Sequence, residues 1–469
     1  MRRIVAIIAS VSFGPAIASA QPEAAPTVDD LDVPATPTPE PTPEPTPELA
    51  PVPEPVVVVE PPAPSPVTDV RATPAPTSVL ASLVEGSGLQ ISGFVQAQGL
   101  LDQQSQDQLM QGGAPLNRDG FAVRRARIEV SRTWTYAGFA FELDANTVNG
   151  TSISPRRAEA LLHWPGPVAP IAALAGGLTD IPYGLELAEP SRRREFMERS
   201  TASLAFFPGE ADVGVRAWGQ YKEFRYAVAV LSGEPLVDIA GRVRADPNAA
   251  KDIVGRVGVD VAPSDRVHIA GGLSVLAGQG FHAGRDATKD ALEWRDLNEN
   301  GAVEIGELFS VPGTAATPSE NFRRWALGAD LRAGLRTRLG WTRFSAEVTV
   351  ASNLDRGFFV ADPVVSGSDI RHLGAYAAVT QDLGTHAFLG VRFDYYDPNL
   401  DAFDSRSGLL IPRDETVSTL SPLVGVRLPP RVRAGIQYDL VLDKLARDTR
   451  GVPTDLANNR ITARLQVDL

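Results

Sequence analysis

One short segment, residues 121–130, limits the folds open to this chain more than any other feature. Its residues alternate between apolar and charged side chains: Ala126, Ile128 and Val130 against Arg125, Arg127 and Glu129. A period of two is that of a β-strand, whose successive side chains point to opposite faces. The segment is too short to cross a membrane as a helix, but it matches the roughly 9–11 residues of a tilted transmembrane strand. In a closed barrel, the apolar face would contact hydrocarbon and the charged face a wet lumen.

The same alternation recurs along the chain in segments separated by turn residues. It predicts about sixteen strands, near residues 91–101, 121–130, 137–144, 155–164, 168–177, 211–220, 224–230, 253–261, 266–276, 325–336, 343–350, 369–380, 389–395, 416–428, 432–440 and 460–469. We therefore expect an all-β fold, a transmembrane antiparallel β-barrel wide enough for an aqueous channel. The alternative, a soluble β-sandwich, would not need charges on nearly every inward face.

The composition excludes several classes of protein. The chain has no cysteine, which excludes disulfides, thiolate metal sites, cysteine catalysis and a lipid-modified N-terminal cysteine. Its formal net charge of −13 argues against a nucleic-acid partner, because phosphate binding requires a basic surface. No run of 18 or more apolar residues follows the N-terminal region, so no transmembrane helix is predicted.

The N-terminal part divides into two segments before the barrel. Residues 1–20 have the pattern of a signal peptide, with Arg2 and Arg3, an apolar core, and Ala18-Ser19-Ala20 before the predicted cleavage. Residues 21–87 form a Pro/Glu-rich linker, which we expect to be disordered and to lie in the periplasm. The linker could contact peptidoglycan or serve only as a passive tether. The barrel is expected over residues 88–469, in the bacterial outer membrane.

Aromatic residues near the ends of the predicted strands suit the two interfaces of a membrane. Barrels of this kind carry aromatic girdles at the level of the lipid headgroups. The candidates for these positions are Trp134, Trp164, Trp341, Tyr395 and Tyr396.

Three stretches carry a resemblance to a known family. They are residues 120–128 with the paired Arg124 and Arg125, a following strand that ends Glu142-Leu143-Asp144, and residues 177–186, which read Gly-Leu-Thr-Asp-Ile-Pro-Tyr-Gly-Leu-Glu. Over about residues 89–469 the chain resembles the phosphate-selective porin O and P family. The resemblance implies a sixteen-stranded homotrimeric porin with an arginine-lined lumen that conducts anions. The chain departs from the phosphate channels because Lys222, Lys251, Lys289 and Lys444 lie outside the strand centres, and because it ends in Leu469 rather than Phe.

The candidate pore residues are arginines of the predicted inward faces and of one long charged segment, residues 181–208. Guanidinium groups stay charged and bind phosphate-like oxygens in pairs of hydrogen bonds. The segment could fold into the lumen and set its bore, or remain a solvated loop. By strict alternation Arg124 falls on the lipid side, unless a β-bulge turns it inward. The candidates are Arg124, Arg125, Arg127, Arg192, Arg193, Arg194, Arg216, Arg225, Arg256 and Arg332.

A second motif, residues 296–307, fits the spacing of a calcium-binding EF-hand loop. Oxygen ligands are required at positions 1, 3, 5, 7, 9 and 12, and glycine at position 6 makes the sharp turn. Gly301 occupies that position, and residues 290–295 look helical. The motif lies in a long insertion, residues 285–320, which Ca²⁺ could staple; otherwise it is a flexible acidic loop. The predicted ligands are Asp296, Asn298, Asn300, Ala302, Glu304 and Glu307.

Together these features predict an outer-membrane porin, a passive diffusion channel for small anionic solutes such as phosphate. It would need no cofactor for transport and would be surrounded by outer-membrane lipid. Two alternatives remain open: a structural or adhesive barrel with a calcium-stabilised surface loop, and a general non-selective porin. An enzyme is not expected, because the five histidines lie near no recognisable nucleophile motif.

Overall fold

The computed structural model describes residues 87–107, 116–148, 150–234, 246–406, 409–428, 431–449 and 452–469. The predicted signal peptide, residues 1–20, lies outside the described residues, and so does the linker up to residue 86. Within the described ranges, no helix is both long enough and apolar enough to cross a membrane.

The described chain is built almost entirely of β-strands. In chain order they are β1 (Gln90–Asp102), β2 (Gly120–Thr133), β3 (Ala137–Asn146), β4 (Ser152–Trp164), β5 (Ala172–Asp180), β6 (Ala211–Tyr221), β7 (Phe224–Leu231), β8 (Asp252–Ser264), β9 (Val267–His282), β10 (Ala291–Trp294), β11 (Leu308–Val311), β12 (Glu320–Arg336), β13 (Trp341–Ser352), β14 (Arg371–Leu383), β15 (Ala387–Asp397), β16 (Phe403–Arg406), β17 (Leu409–Pro412), β18 (Val417–Leu428), β19 (Val432–Leu442), β20 (Ala446–Arg447), β21 (Pro453–Thr454) and β22 (Arg460–Asp468). Two short helices, α1 (Thr201–Phe206) and α2 (Pro363–Ser366), and one 3₁₀ turn (Ile305–Glu307) complete the described elements.

Sixteen of the described strands close into one antiparallel barrel, in the order β1 to β9, β12 to β15, β18, β19 and β22. Closure is made between the first and last strands, where Phe94 pairs with Asp468 and Asp102 with Arg460. Because lipid offers no hydrogen bonds, closure removes the unpaired strand edges that a membrane would penalise. The predicted all-β barrel and all sixteen predicted strand positions are confirmed.

The other six strands form three hairpins within the loops of the barrel: β10 with β11, β16 with β17, and β20 with β21. Sequence analysis did not place them. The predicted helix over residues 290–295 is wrong, since this stretch lies in strand β10 and its flanks. Trp294 pairs with Leu308 across the hairpin. The cross-strand pairing of apolar residues therefore overrides the local helical pattern.

The two ends of the barrel differ in their connections. At one end the strands are joined by tight turns such as residues 222–223 and 265–266, and at the other by loops such as residues 181–210 and 283–319. Outer-membrane barrels have short turns on the periplasmic side and long loops outside. The start of β1 and the end of β22 lie at the short-turn end of the barrel.

Burial along the strands follows the predicted alternation. Outward residues such as Ile128, Leu327 and Val424 are exposed, by 44%, 56% and 63%, on the barrel exterior. Inward residues such as Arg125 and Asp394 are almost fully buried. In a bilayer the exposed apolar side chains would meet hydrocarbon rather than water, so this inverted surface is the one a membrane barrel requires.

The structure leaves part of the predicted girdle set exposed near the ends of the barrel, while its place at the membrane interfaces stays a prediction. Trp134 and Trp164 are about half-exposed, at 46% and 59%, at the short-turn end of the barrel. Trp341 at the same end and Tyr395 at the opposite end are half-buried. Tyr396 was assigned wrongly, because its side chain is fully buried and its hydroxyl donates a hydrogen bond to Asp355. Consecutive residues of a strand face opposite sides, so Tyr396 faces the barrel interior while Tyr395 faces outward.

The hydrophobic core lies inside the barrel rather than between two sheets. Tyr183 and Phe206 of the connection between β5 and β6 pack with inward apolar residues of the wall, including Leu231, Val254 and Leu276. Each of these five side chains is at most 2% exposed. One side of the lumen is therefore filled by packed side chains, and any aqueous path is confined to the remaining space.

Candidate functional site

A β-bulge in β2 determines where the paired arginines point. The register between β1 and β2 passes from Gln96–Arg125 to Ala97–Val123, so Arg124 has no partner on β1. Such a bulge lets two consecutive residues face the same side of a sheet. Both guanidinium groups reach Glu198, with N–O distances of 2.8 Å from Arg124 and 3.1 Å from Arg125. Strict alternation would place Arg124 on the lipid side, and the bulge turns its side chain inward instead.

The connection between β5 and β6, residues 181–210, lies inside the barrel, and we call it the lumen loop. Its contacts with the wall are distributed around the barrel. Arg464 of β22 contacts Glu198 at 2.7 Å, and the Gln437 side chain of β19 accepts a hydrogen bond from the Met197 backbone N–H at 2.9 Å. On another side, Arg332 of β12 contacts Glu189 at 3.0 Å. The predicted segment 181–208 therefore crosses the lumen instead of remaining a solvated surface loop.

Glu198 is the central anchor of the lumen loop. Burial by itself raises the pKa of this carboxyl, but the nearby guanidinium groups of Arg124, Arg125 and Arg464 hold it well below its ordinary value. Glu198 therefore remains ionised under all physiological conditions. Three arginines from the first and last parts of the barrel share this one carboxylate.

A second anchor lies where the lumen loop joins β6. Glu210 contacts Arg127 at 3.3 Å, Arg156 at 3.2 Å and Arg194 at 3.0 Å. Burial raises the pKa of Glu210, yet the three arginines lower it overall to well below the ordinary range. Predicted residues Arg127 and Arg194 thus come together, but as partners of a buried carboxylate rather than as free charges in a channel.

A second bulge was missed by sequence analysis. In the pairing of β3 with β4, the register passes from Glu142–Arg157 to Leu143–Pro155. Arg156 of β4 therefore has no residue opposite it on β3. Arg156 and Arg157 consequently both turn inward, and each forms ion pairs with several carboxylates. The signal was present, since the pair repeats the Arg-Arg pattern of Arg124 and Arg125 in the preceding hairpin.

The three consecutive arginines of the lumen loop have different surroundings. Arg194 is buried against Glu210. Arg192 is partly exposed and contacts Asp468 at 3.4 Å. The guanidinium of Arg193 is exposed and, among the described residues, has no carboxylate within ion-pair distance. Of this predicted triplet, Arg193 is the residue that presents an uncompensated positive charge to the lumen.

The remaining predicted arginines are paired along the wall. Arg216 contacts Glu159 at 3.3 Å and Arg256 contacts Asp330 at 2.5 Å, while Arg332 holds the lumen loop through Glu189. Arg225 lies beside the two-residue turn between β6 and β7, and its nearest carboxylate is Asp260 at 3.9 Å. The structure therefore places Arg225 at the short-turn mouth, away from the lumen loop.

Other inward arginines that contact the lumen loop were not among the predicted site residues. Alternation placed several of them on inward faces, but nothing local in the sequence identified the acidic or backbone partners on the loop. They are Arg343 and Arg427, which contact Glu195; Arg392, which contacts Glu186; Arg433, which donates to the carbonyl oxygens of Arg192 and Arg193; and Arg464, which contacts Glu198.

Two cavities lie on the short-turn side of the lumen loop. One has a volume of about 500 Å³ and is lined in part by Arg193, Arg332 and Tyr376. The other has a volume of about 580 Å³ and extends toward Ser92 and Asp468. Arg193 borders both cavities. Glu189 also borders both cavities, but it is paired with Arg332. Arg193 therefore contributes a charge to both cavities that no carboxylate of the described residues balances.

The predicted calcium loop joins strands β10 and β11, on the long-loop side of the barrel. Gly301 has the left-handed conformation, with φ of 72°, that the sharp turn at position 6 requires. Glu307 accepts hydrogen bonds from the Trp294 indole at 3.0 Å and the Leu297 backbone N–H at 3.1 Å. These bonds lower the pKa of the Glu307 carboxyl. Among the described residues, no three His, Asp or Glu side chains converge as metal ligands do, so calcium binding remains a prediction.

Comparison with known proteins tests the family resemblance. Residues 101–259 match the family phosphate-selective porin O and P. This stretch contains both arginine pairs and the whole lumen loop. No curated protein sequence matches the chain significantly.

Several solved porin structures are similar to this chain at low sequence identity, and one of them reaches a TM-score of 0.50. OprB of Pseudomonas putida is 10% identical, with a TM-score of 0.50, covering 83% of this chain and 96% of that one. The anion-selective porin from Comamonas acidovorans is 10% identical, with a TM-score of 0.48 and coverage of 81% and 99%. The outer-membrane channel DcaP of Acinetobacter baumannii is 10% identical, with a TM-score of 0.47 and coverage of 81% and 97%. The porin family match and the closed barrel support an outer-membrane channel rather than an enzyme.

Proposed function

We propose that this protein is a passive outer-membrane porin for small anionic solutes such as phosphate. The observation that carries the proposal is the position of Arg193, which is exposed, unpaired among the described residues, and shared by both cavities beside the lumen loop. Arg192, 39% exposed at its side chain, lies beside it, but its charge is balanced in part by Asp468 at 3.4 Å. Charged groups at a constriction select ions by sign, because few water molecules there screen the charge.

Most of the arginines in the lumen are neutralised by carboxylates, and this limits the strength of selection. Pairs such as Arg256 with Asp330 and Arg216 with Glu159 leave little net field along the wall. Selectivity would therefore arise at the lumen loop and not along the whole arginine-lined face. This distribution also favours the second candidate, a general porin with only a weak preference for anions.

The reversal potential in planar lipid bilayers tests the proposal. With purified protein under a KCl gradient, we expect a potential of the sign that indicates chloride permeating faster than potassium. Replacing KCl by potassium phosphate should retain a substantial conductance. A preference for potassium would overturn the anion proposal, and equal permeability would favour the general porin. A barrel without conductance would favour the structural or adhesive alternative.

We further propose that the porin is a homotrimer in outer-membrane lipid, with residues 21–87 extending into the periplasm. The trimer is what the resemblance to the porin O and P family implies, and the periplasmic position of the linker is supported by the short-turn location of the start of β1. Chemical cross-linking in native outer membranes should yield a trimeric band. Pull-down with isolated peptidoglycan, comparing the full chain with one lacking residues 21–80, separates a wall contact from a passive tether.

A further inference from the structure

The cavity of about 500 Å³ combines positive charge with an aromatic wall. It lies between the lumen loop and the inward faces of β12 to β15. Arg193 contributes from the loop, while Phe196, Tyr376 and Ala378 form an apolar patch in which each residue is less than 9% exposed. A cavity of this volume exceeds what an inorganic anion needs and suits an organic molecule of modest size.

The charges that line the cavity leave one cation uncompensated. Every other basic residue in the lining is paired with a carboxylate: Arg194 with Glu210, His268 with Asp260, Arg332 with Glu189, Arg343 with Asp382 and Arg392 with Glu186. Arg193 has no such partner among the described residues. A single free guanidinium matches a monoanion, and a carboxylate accepts its two parallel hydrogen bonds.

Tyr376 supplies a second polar group. Its side chain is 8% exposed and lines the cavity. Within the part of the chain that the structure describes, its hydroxyl has no hydrogen-bond partner, although neighbouring inward residues such as Asp394 and Thr349 do. A hydroxyl that opens into a cavity and has no protein partner is satisfied by water or by a ligand. The Tyr376 hydroxyl is therefore available to a polar substituent of a bound molecule.

We propose that this cavity is a binding subsite for small aromatic monocarboxylates, of which 4-hydroxybenzoate is the probe. Its carboxylate pairs with Arg193, its ring packs against Phe196 and Tyr376, and its phenolic group exchanges a hydrogen bond with the Tyr376 hydroxyl. The inference rests on the proposed channel function and names a solute class for it. A phosphate dianion would gain the charge contact but none of the ring contacts.

Single-channel recording with the full chain tests the subsite. We expect 4-hydroxybenzoate to interrupt the current in a concentration-dependent manner, and acetate at the same concentrations not to. Arg193→Gln should raise the half-blocking concentration about tenfold, because a charge-assisted pair is lost. Tyr376→Phe should raise it about threefold for 4-hydroxybenzoate and leave that of benzoate unchanged. Arg266→Gln, an exposed arginine in the turn between β8 and β9, is the matched control and should behave as wild type.

The outcomes separate the two proposals. A channel that conducts, but is blocked equally by acetate or is insensitive to Arg193→Gln, refutes the subsite and leaves the porin intact. A protein without conductance refutes the channel; calorimetry of 4-hydroxybenzoate with the detergent-solubilised full chain then still decides the subsite. Heat of binding that is weakened by Arg193→Gln supports it, and the absence of heat in the wild type overturns it.

Discussion

At the scale of single residues, Glu198 determines how the lumen loop is held. Its carboxylate meets three guanidinium groups, those of Arg124 and Arg125 on β2 and of Arg464 on β22. A carboxylate with several cationic partners cannot be removed without leaving those charges facing one another in a partly dry space. The position of the lumen loop therefore depends strongly on Glu198, because its one carboxylate balances three arginines.

Replacing Glu198 by Gln should release the tip of the lumen loop. We expect a loss of about 3 kcal/mol in anchoring, because the arginines are left without their counter-charge. The measurement is open-channel current noise, which should increase as the loop fluctuates. Glu223→Gln, in the exposed turn between β6 and β7, is the matched control. Unchanged noise in Glu198→Gln would show that packing alone seats the loop.

The pH dependence of this anchor follows from the lowered pKa of Glu198. A group whose pKa is lowered in the folded state contributes its stabilisation fully above the ordinary value of 4.5, and loses it only as the pH falls through the lowered value. The difference in current noise between wild type and Glu198→Gln, which isolates this group, should thus be constant from pH 7 to pH 4.5 and shrink only under more acidic conditions. A difference that shrinks with its midpoint at or above pH 4.5 would contradict the arginine clamp.

At the scale of elements, the bulge in β2 can be tested by deletion. Removing Arg124 should leave Val123 outward and Arg125 inward, so that the regular alternation with β1 is preserved. Removing Val123 instead places Arg124 on the lipid face, where an arginine costs about 2–4 kcal/mol at the bilayer midplane and less toward the interfaces. Heat-modifiable migration on gels reports folding. The Arg124 deletion should fold nearly as well as wild type, and the Val123 deletion less well; the reverse order would be inconsistent with the bulge.

The hairpin of β10 and β11 makes a separate prediction for calcium. Binding to residues 296–307 would engage the Glu307 carboxylate, which accepts a hydrogen bond from the Trp294 indole in this structure. We expect calorimetry to show weak binding, with a Kd of about 10⁻⁴–10⁻³ M as in extracellular modules. Glu307→Gln should abolish the heat, whereas Glu293→Gln in β10 should not. If the wild type gives no heat on calcium addition, the loop only mimics the motif.

Sequence reasoning located the strands well because lipid imposes one repeated rule on all of them. A residue such as Ile128 must face hydrocarbon, and its neighbour Arg127 must not, so each strand is visible in a short window. The hairpins β10–β11 and β16–β17 lie beyond that constraint, and their short strands leave no periodic signal. Tyr396 was misplaced because an aromatic near a strand end suits both a girdle and a buried contact.

The candidate site was predictable only in part for a different reason. The inward arginines could be read from alternation, but their partners Glu186, Glu195 and Glu198 lie on a loop far away in sequence. Sequence alone could not distinguish an arginine whose charge is balanced by such a partner from one such as Arg193, which has no carboxylate partner among the described residues. The bulge at Arg156 was missed because strict alternation assigns consecutive residues to opposite faces, and an extra residue in one strand breaks that rule.

At the scale of the whole molecule, closure of the barrel and the position of the lumen loop are linked through the strands at the seam. The counter-charges of Glu198 come from β2, the second strand of the barrel, and from β22, the strand that closes it against β1. Until β22 docks beside β1, the loop lacks Arg464 and its tip has an incomplete set of partners. Closure of the barrel by β22 therefore also completes the contacts that position the lumen loop. A barrel in which β22 had not paired with β1 would lack a defined pore as well as a closed sheet.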